Sequence, residues 1–259
     1  MQKRLRILTL LGALGALWGD IPAATAQTLG ALAPENLARP RPEPGFDLTG
    51  LWLHDLGPDN SFRFSPPEGF KLTPAAQVHY DAAQQAAAEG KVYRNDIGLC
   101  WPAGLPVIMT RVWPIAMIQL PTAIFMTSEF MNSLRIVYLD GRTHTDPDLV
   151  VPSFNGESIG RWEGDTLVVE TRHFTGHHHW IDTGIPASDA LRIVERIRLV
   201  DTGNTLEIAY TLTDPKGWEG DWTMTKRWRR VNDRDIAEVQ CLPDLNDYMP
   251  TVQSEFNVR

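Results

Sequence analysis

The sequence predicts a mostly β fold: an antiparallel meander that closes into a β-barrel, with one helix in its N-terminal half at about residues 73–89. Three observations carry this. Short apolar runs recur from residue 107 to 242 with no helical pattern between them. Asp140-Gly141, Glu163-Gly164-Asp165, Asp201-Thr202-Gly203-Asn204 and Asp214-Pro215-Lys216-Gly217 supply turns where hairpins need them. A meander this long exposes two edges unless it closes or splits into a sandwich, and closure removes both.

From the N-terminus, residues 1–26 read as an export signal. Lys3, Arg4 and Arg6 precede the uncharged, mostly apolar run Ile7 to Trp18, and Ala24-Thr25-Ala26 offers a small-x-small cleavage pattern. The run, at about 12 residues, falls short of the roughly 20 that span a bilayer. Its removal takes away three positive charges and Asp20, so the formal charge of −8 becomes −10. A domain this acidic repels phosphate backbones, which excludes nucleic acid as an expected partner. No other stretch is apolar enough to cross a membrane, so a mature chain without a transmembrane segment is expected in the periplasm or secreted. The oligomeric state is not readable.

Residues 27–45 carry Pro34, Pro40, Pro42 and Pro44 and are expected as an extended, Pro-rich leader. A single domain then spans 46–259. Its first strand is FDLTGLWLH from Phe46, followed by a loop over 55–72. Thr73 caps the helix, Pro74 takes its first position and Gly90 ends it. Ala75, Val78, Ala82 and Ala86 are its expected apolar face. Strands are expected at Ala123–Met131, Leu134–Leu139, Ile159–Trp162, Thr166–Phe174, Leu191–Val200, Thr205–Thr213, Asp221–Arg229 and Ile236–Leu242.

Alternation assigns the faces of these strands. Leu191, Ile193, Glu195, Ile197 and Leu199 share one side, opposite Arg192, Arg196 and Arg198, so Glu195 points inward. By the same count His173 joins Leu167, Val169 and Thr171. Glu129 joins Phe125, Thr127 and Met131, and Lys226 interrupts Trp222, Met224 and Trp228. Cys100 and Cys241 are too far apart for a CxxC motif. In an oxidising compartment they are expected to form a disulfide, two buried free thiols being the alternative.

The segment GESIGRWEGDTLVVETRHF, Gly156 to Phe174, resembles a large group of exported bacterial proteins without an assigned activity. LTGLW at Leu48, CWPAGLP at Cys100, YLDGRTH at Tyr138, WIDTG at Trp180, SDALRIVERI at Ser188 and TLTDP at Thr211 extend the resemblance over most of residues 46–242. It implies a lipocalin-like antiparallel barrel in an exported protein and carries no catalytic residues across. The triplet His177-His178-His179 departs from the group, which has polar, non-histidine residues there.

Several residues are candidates for chemistry. Glu195 and Glu129, on apolar faces, are either carboxyls of raised pKa acting as acid or base, or members of ion pairs with Arg135 or Arg161. His173 is either their proton partner or a satisfied core histidine. Trp52, Trp162, Trp180, Trp222 and Trp228 either grip a ligand or fill the core. His177 and His179, projecting to one side of an extended segment, could share a divalent metal such as zinc with Asp182 or His173. The plainer reading is a solvated loop of incidental histidines. A serine-hydrolase elbow, a dinucleotide fingerprint, a Walker loop and a cysteine-nucleophile signature are all absent. The leading expectation is a barrel that binds a small apolar or aromatic molecule, with or without cofactor-free isomerase- or lyase-type chemistry. A metal-dependent hydrolase or oxygenase and a non-enzymatic structural protein are the alternatives.

Overall fold

Residues 192–200 alternate as the sequence dictates: Ile193, Glu195 and Ile197 are buried while Arg196 and Arg198 face water. That strand belongs to a closed barrel in the computed structural model, which describes residues 29–57, 61–94, 96–246 and 251–252. The expected export signal lies outside the described residues. The elements are α1 (Pro34–Leu37), β1 (Gly50–His54), α2 (Pro74–Ala88), β2 (Val92–Tyr93), β3 (Ile115–Gln119), β4 (Ala123–Ser128), β5 (Ser133–Tyr138) and β6 (Glu157–Glu163). They continue as β7 (Thr166–Arg172), β8 (Trp180–Asp182), β9 (Ile185–Pro186), β10 (Arg192–Val200), β11 (Thr205–Thr213), β12 (Asp221–Val231) and β13 (Thr251–Val252).

The barrel ring runs β1-β12-β11-β10-β7-β6-β5-β4-β3 and returns to β1. Eight of its neighbouring pairs are antiparallel, whereas β5 and β6 are parallel. A ring of nine strands cannot alternate direction all the way round, so one parallel pair is unavoidable. The meander is therefore mixed at that one place. Parallel neighbours need a long return connection, and residues 139–156 provide it.

The interior is occupied by side chains. Trp52, Trp222, Trp228 and Tyr210 are buried there with Ile193, Ile197, Leu206, Ile208 and Leu212. The Trp52 indole N–H donates to the Leu48 carbonyl at 2.9 Å, and that of Trp228 to the Met109 carbonyl at 2.7 Å. Lys226 also points inward, and its ammonium donates to the carbonyls of Ser61 and Arg63.

Some expected elements differ. The apolar face of α2 is Ala76, His79, Ala83 and Ala86, one position on from most of the expected set, and Val78 is exposed. The face of β4 is also inverted: Ile124, Met126 and Ser128 are buried and Thr127 is exposed, with the strand ending before Glu129. Residues 236–242 form no strand, because β1 already closes the ring against β12 and β3. Within the expected leader, α1 makes one helical turn and is tied to the barrel: buried Asn36 donates to Asp140 at 3.1 Å, and Thr122 Oγ1 to the Ala31 carbonyl at 2.7 Å.

Cys100 and Cys241 form a disulfide with Cα atoms 5.7 Å apart. Among the described residues no helix is long and apolar enough to cross a membrane.

Candidate functional site

The parallel pair β5–β6 is joined by only two residue pairs, Val137 with Ser158 and Tyr138 with Ile159. Residues 133–136 of β5 therefore part from β6, and the returning connection passes through the gap. Asn155 stands in for the missing ladder, its side-chain amide donating to Ser133 Oγ and to the Leu134 carbonyl, both at 2.9 Å. The fork leaves a cleft of about 400 Å³. Leu134, Ile136 and Tyr138 wall it from β5, and Val150, Val151 and Phe154 from the connection.

At one end of the cleft Glu157 and His173 line the wall, and His144 meets them there to make a group of three titratable side chains. Glu157 opens β6, where Gly156 precedes it at φ +60 with no room for a side chain: a Cβ there would lie 2.5 Å from the Arg172 carbonyl oxygen. His173 follows β7 at φ +62, which turns it off the strand's alternation. The inward face thus ends at Thr171, and His173 reaches to within 3.7 Å of Glu157 Oε2 through Nε2. His144 comes from the connection, its Nδ1 2.9 Å from the same oxygen. Thr145 donates to both carboxylate oxygens, from its backbone N–H at 2.9 Å and its hydroxyl at 2.6 Å. Burial opposes ionisation of Glu157, but the Thr145 and His144 hydrogen bonds outweigh it and hold the carboxyl below its ordinary pKa. His144 Nε2 and His173 Nε2 are buried without a hydrogen-bond partner among the described residues. One donor atom from each of the three residues lies within 4.8 Å of the other two, the one such group among the described residues.

Of the expected site residues, this cleft contains His173 alone. Glu195 is fully buried and inward, in a two-pronged ion pair with Arg135. Glu129 is buried at the N-cap position of the 3-10 turn Phe130–Asn132 and receives Arg234 on both oxygens, at 3.0 and 3.2 Å. Arg161 pairs with Glu163 on the surface instead. Trp52, Trp222 and Trp228 belong to the packed core, and Trp162 packs edge-on against Phe46.

His177, His179 and Asp182 do not converge. His177 is exposed, whereas His178 stacks on Trp101 at 3.9 Å and meets Asp96 at 3.0 Å. His179 is fully buried, its Nε2–H donating to the Leu105 carbonyl at 2.8 Å, so the triplet is not a solvated loop. Burial lowers the pKa of His179 to about 4, so the ring is neutral at pH 7.

Trp180 and Asp182 line a second, smaller hollow of about 240 Å³ with Phe62, Phe64, Tyr93 and Arg111. Burial pushes the Asp182 carboxyl up and the Arg111 guanidinium down in pKa.

Glu157 and His144 were not singled out by the sequence reading. The segments that contain them, YLDGRTH and GESIGRW, carry part of the resemblance described above, but residues 139–156 have no periodicity that would bring the two side chains together. No protein-family model matches the chain, and no curated protein matches it.

Proposed function

We propose that this is an exported protein of the group it resembles at WEGDTLVVET. In this reading it binds a small apolar or aromatic molecule in the cleft between β5 and the 139–156 connection. The observation that carries the reading is the convergence of apolar walls on a half-buried carboxylate flanked by two histidines, each with a ring nitrogen unpartnered among the described residues. A concave apolar surface with a few directed polar groups is the usual form of a small-molecule site. Acid–base capacity then rests on His173 and Glu157, since Glu195 and Glu129 are engaged by arginines. Export is supported by the N-terminal pattern and by the disulfide. Sequencing of periplasmic protein should begin at Gln27.

The neutral aromatic dye N-phenyl-1-naphthylamine tests the site. Its fluorescence should rise saturably with one site per chain, lose that response in Ile136→Asp and keep it in Trp180→Ala. Loss in Trp180→Ala alone would move the site to the hollow beside Asp182. No saturable response in the native chain would refute ligand binding and leave the filled barrel as a structural protein.

A further inference from the structure

We infer that His144, Glu157 and His173 form a centre for one divalent transition-metal ion. Two imidazoles and a carboxylate are a mixed nitrogen and oxygen set of the kind that holds zinc, iron(II), cobalt(II) or manganese(II). An ion about 2.1 Å from each donor requires donor atoms about 3.0–3.4 Å apart. The separations from Glu157 Oε2, 2.9 Å to His144 Nδ1 and 3.7 Å to His173 Nε2, bracket that range. The third separation, between the two imidazole nitrogens, is within 4.8 Å, so the rings close on the ion by at most roughly 1.4 Å, within the reach of side-chain rotation.

The surroundings support the same conclusion. Thr145 fixes the carboxylate from outside through two hydrogen bonds, as groups behind a metal ligand do. The backbone of His173 is held in its left-handed conformation by Ser153, whose N–H donates to the His173 carbonyl at 3.1 Å. His173 Nε2 is a buried nitrogen with no hydrogen-bond partner among the described residues, a costly state that coordination satisfies. Neighbouring cations are already neutralised: Arg142 by Asp140, Arg135 by Glu195 and Arg172 by Glu170. Glu157 and His173 line the open cleft, and a set of three protein ligands leaves coordination positions for water or for a ligand's oxygen, the arrangement of a catalytic rather than a structural ion. The inference deepens the reading of the cleft as a small-molecule site and rests on it only for whatever completes the coordination.

The test uses mature chain purified from periplasm, stripped with chelator, dialysed, and titrated with zinc chloride by calorimetry and with cobalt chloride by visible absorption. One ion per chain is expected, with a cobalt spectrum of mixed nitrogen and oxygen ligation. His144→Ala, His173→Ala and Glu157→Gln should each abolish stoichiometric binding. Thr145→Val should weaken it by about tenfold, and His177→Ala should leave it unchanged. Glu157→Gln preserves side-chain size, and thermal unfolding of each variant separates lost ligation from lost folding. No binding to the native chain, or binding that survives His144→Ala and His173→Ala, overturns the assignment. The dye titration run in parallel keeps the two readings apart. Dye binding without metal binding refutes the centre and spares the cleft, while the reverse refutes the apolar ligand and supports the centre.

Discussion

Glu195 lies between Ile193 and Ile197 with no exposed surface, and it is stable there because Arg135 meets it with both Nη groups. The remaining guanidinium contacts go to Ser158 Oγ at 3.2 Å and Thr171 Oγ1 at 3.3 Å, so the buried pair is closed on itself. Burial and the neighbouring Glu195 charge raise the pKa of the Tyr210 hydroxyl well above its ordinary value. Glu195→Gln leaves Arg135 charged and uncompensated, which should cost about 3 kcal/mol in urea unfolding, whereas the apolar pair Arg135→Met with Glu195→Leu should lose less. A loss under about 0.5 kcal/mol for the single change, the size expected at a surface site, would contradict the pairing.

His179 gives a pH dependence at the same scale. Its folded pKa of about 4 lies below the unfolded 6.5. Between those values only the unfolded chain takes up the proton. The stabilisation is therefore complete above pH 6.5, falls as pH drops towards 4 and levels off below, by about 3 kcal/mol in total. His179→Gln should remove that slope from a pH series of unfolding free energies.

Helix α2 shows what an element's sequence can and cannot specify. Its start was legible: Thr73 Oγ1 accepts from the Ala76 N–H at 3.3 Å, and Pro74 takes the first position. Its face was not, because alanines on all sides give no amphipathic contrast and tertiary contact decides. That contact is with the β8–β9 hairpin, where a Cβ on Gly184 would lie 2.6 Å from the Ala83 methyl. Ala83→Leu should therefore overpack the contact and cost about 2 kcal/mol, while Val78→Ala should stay within about 0.5 kcal/mol; equal costs in denaturant unfolding would place the face elsewhere. Among strands the same logic holds. β10 was legible because arginines mark its outer side, and β11 because turns bound both its ends. In β4 the inner and outer sides are both mostly apolar, and parity alone inverted them. The cluster at Glu157 was hidden for a different reason. His173 leaves its strand's alternation through a positive φ, and His144 belongs to a connection with no period at all.

At the scale of the molecule, the closed ring determines what the remaining chain does. With β1 hydrogen-bonded on both sides, residues beyond β12 have no barrel edge to join; the segment after Val231 runs over the outside, and β13 pairs with β2 instead. Asn132 holds it at Val239, donating to the carbonyl at 2.9 Å and accepting from the N–H at 3.2 Å, and Arg234 covers Glu129. The disulfide then ties Cys241 to Cys100 across a sequence separation of 141 residues. Neither cysteine lies in a barrel strand, so the bond should act chiefly by restricting the unfolded chain rather than by shaping the ring. A loop of that length corresponds to about 5 kcal/mol of lost chain entropy in the unfolded state, as an upper bound. Cys100→Ala with Cys241→Ala should therefore lower the unfolding free energy by several kcal/mol, on the order of that figure, while the β circular dichroism and the Glu195-linked stability difference stay as they were. Because the tail also covers Glu129, limited proteolysis of the double variant should cut after Val231 before it cuts any barrel strand. Simultaneous loss of the tail and the ring would show that the closed barrel depends on the bond.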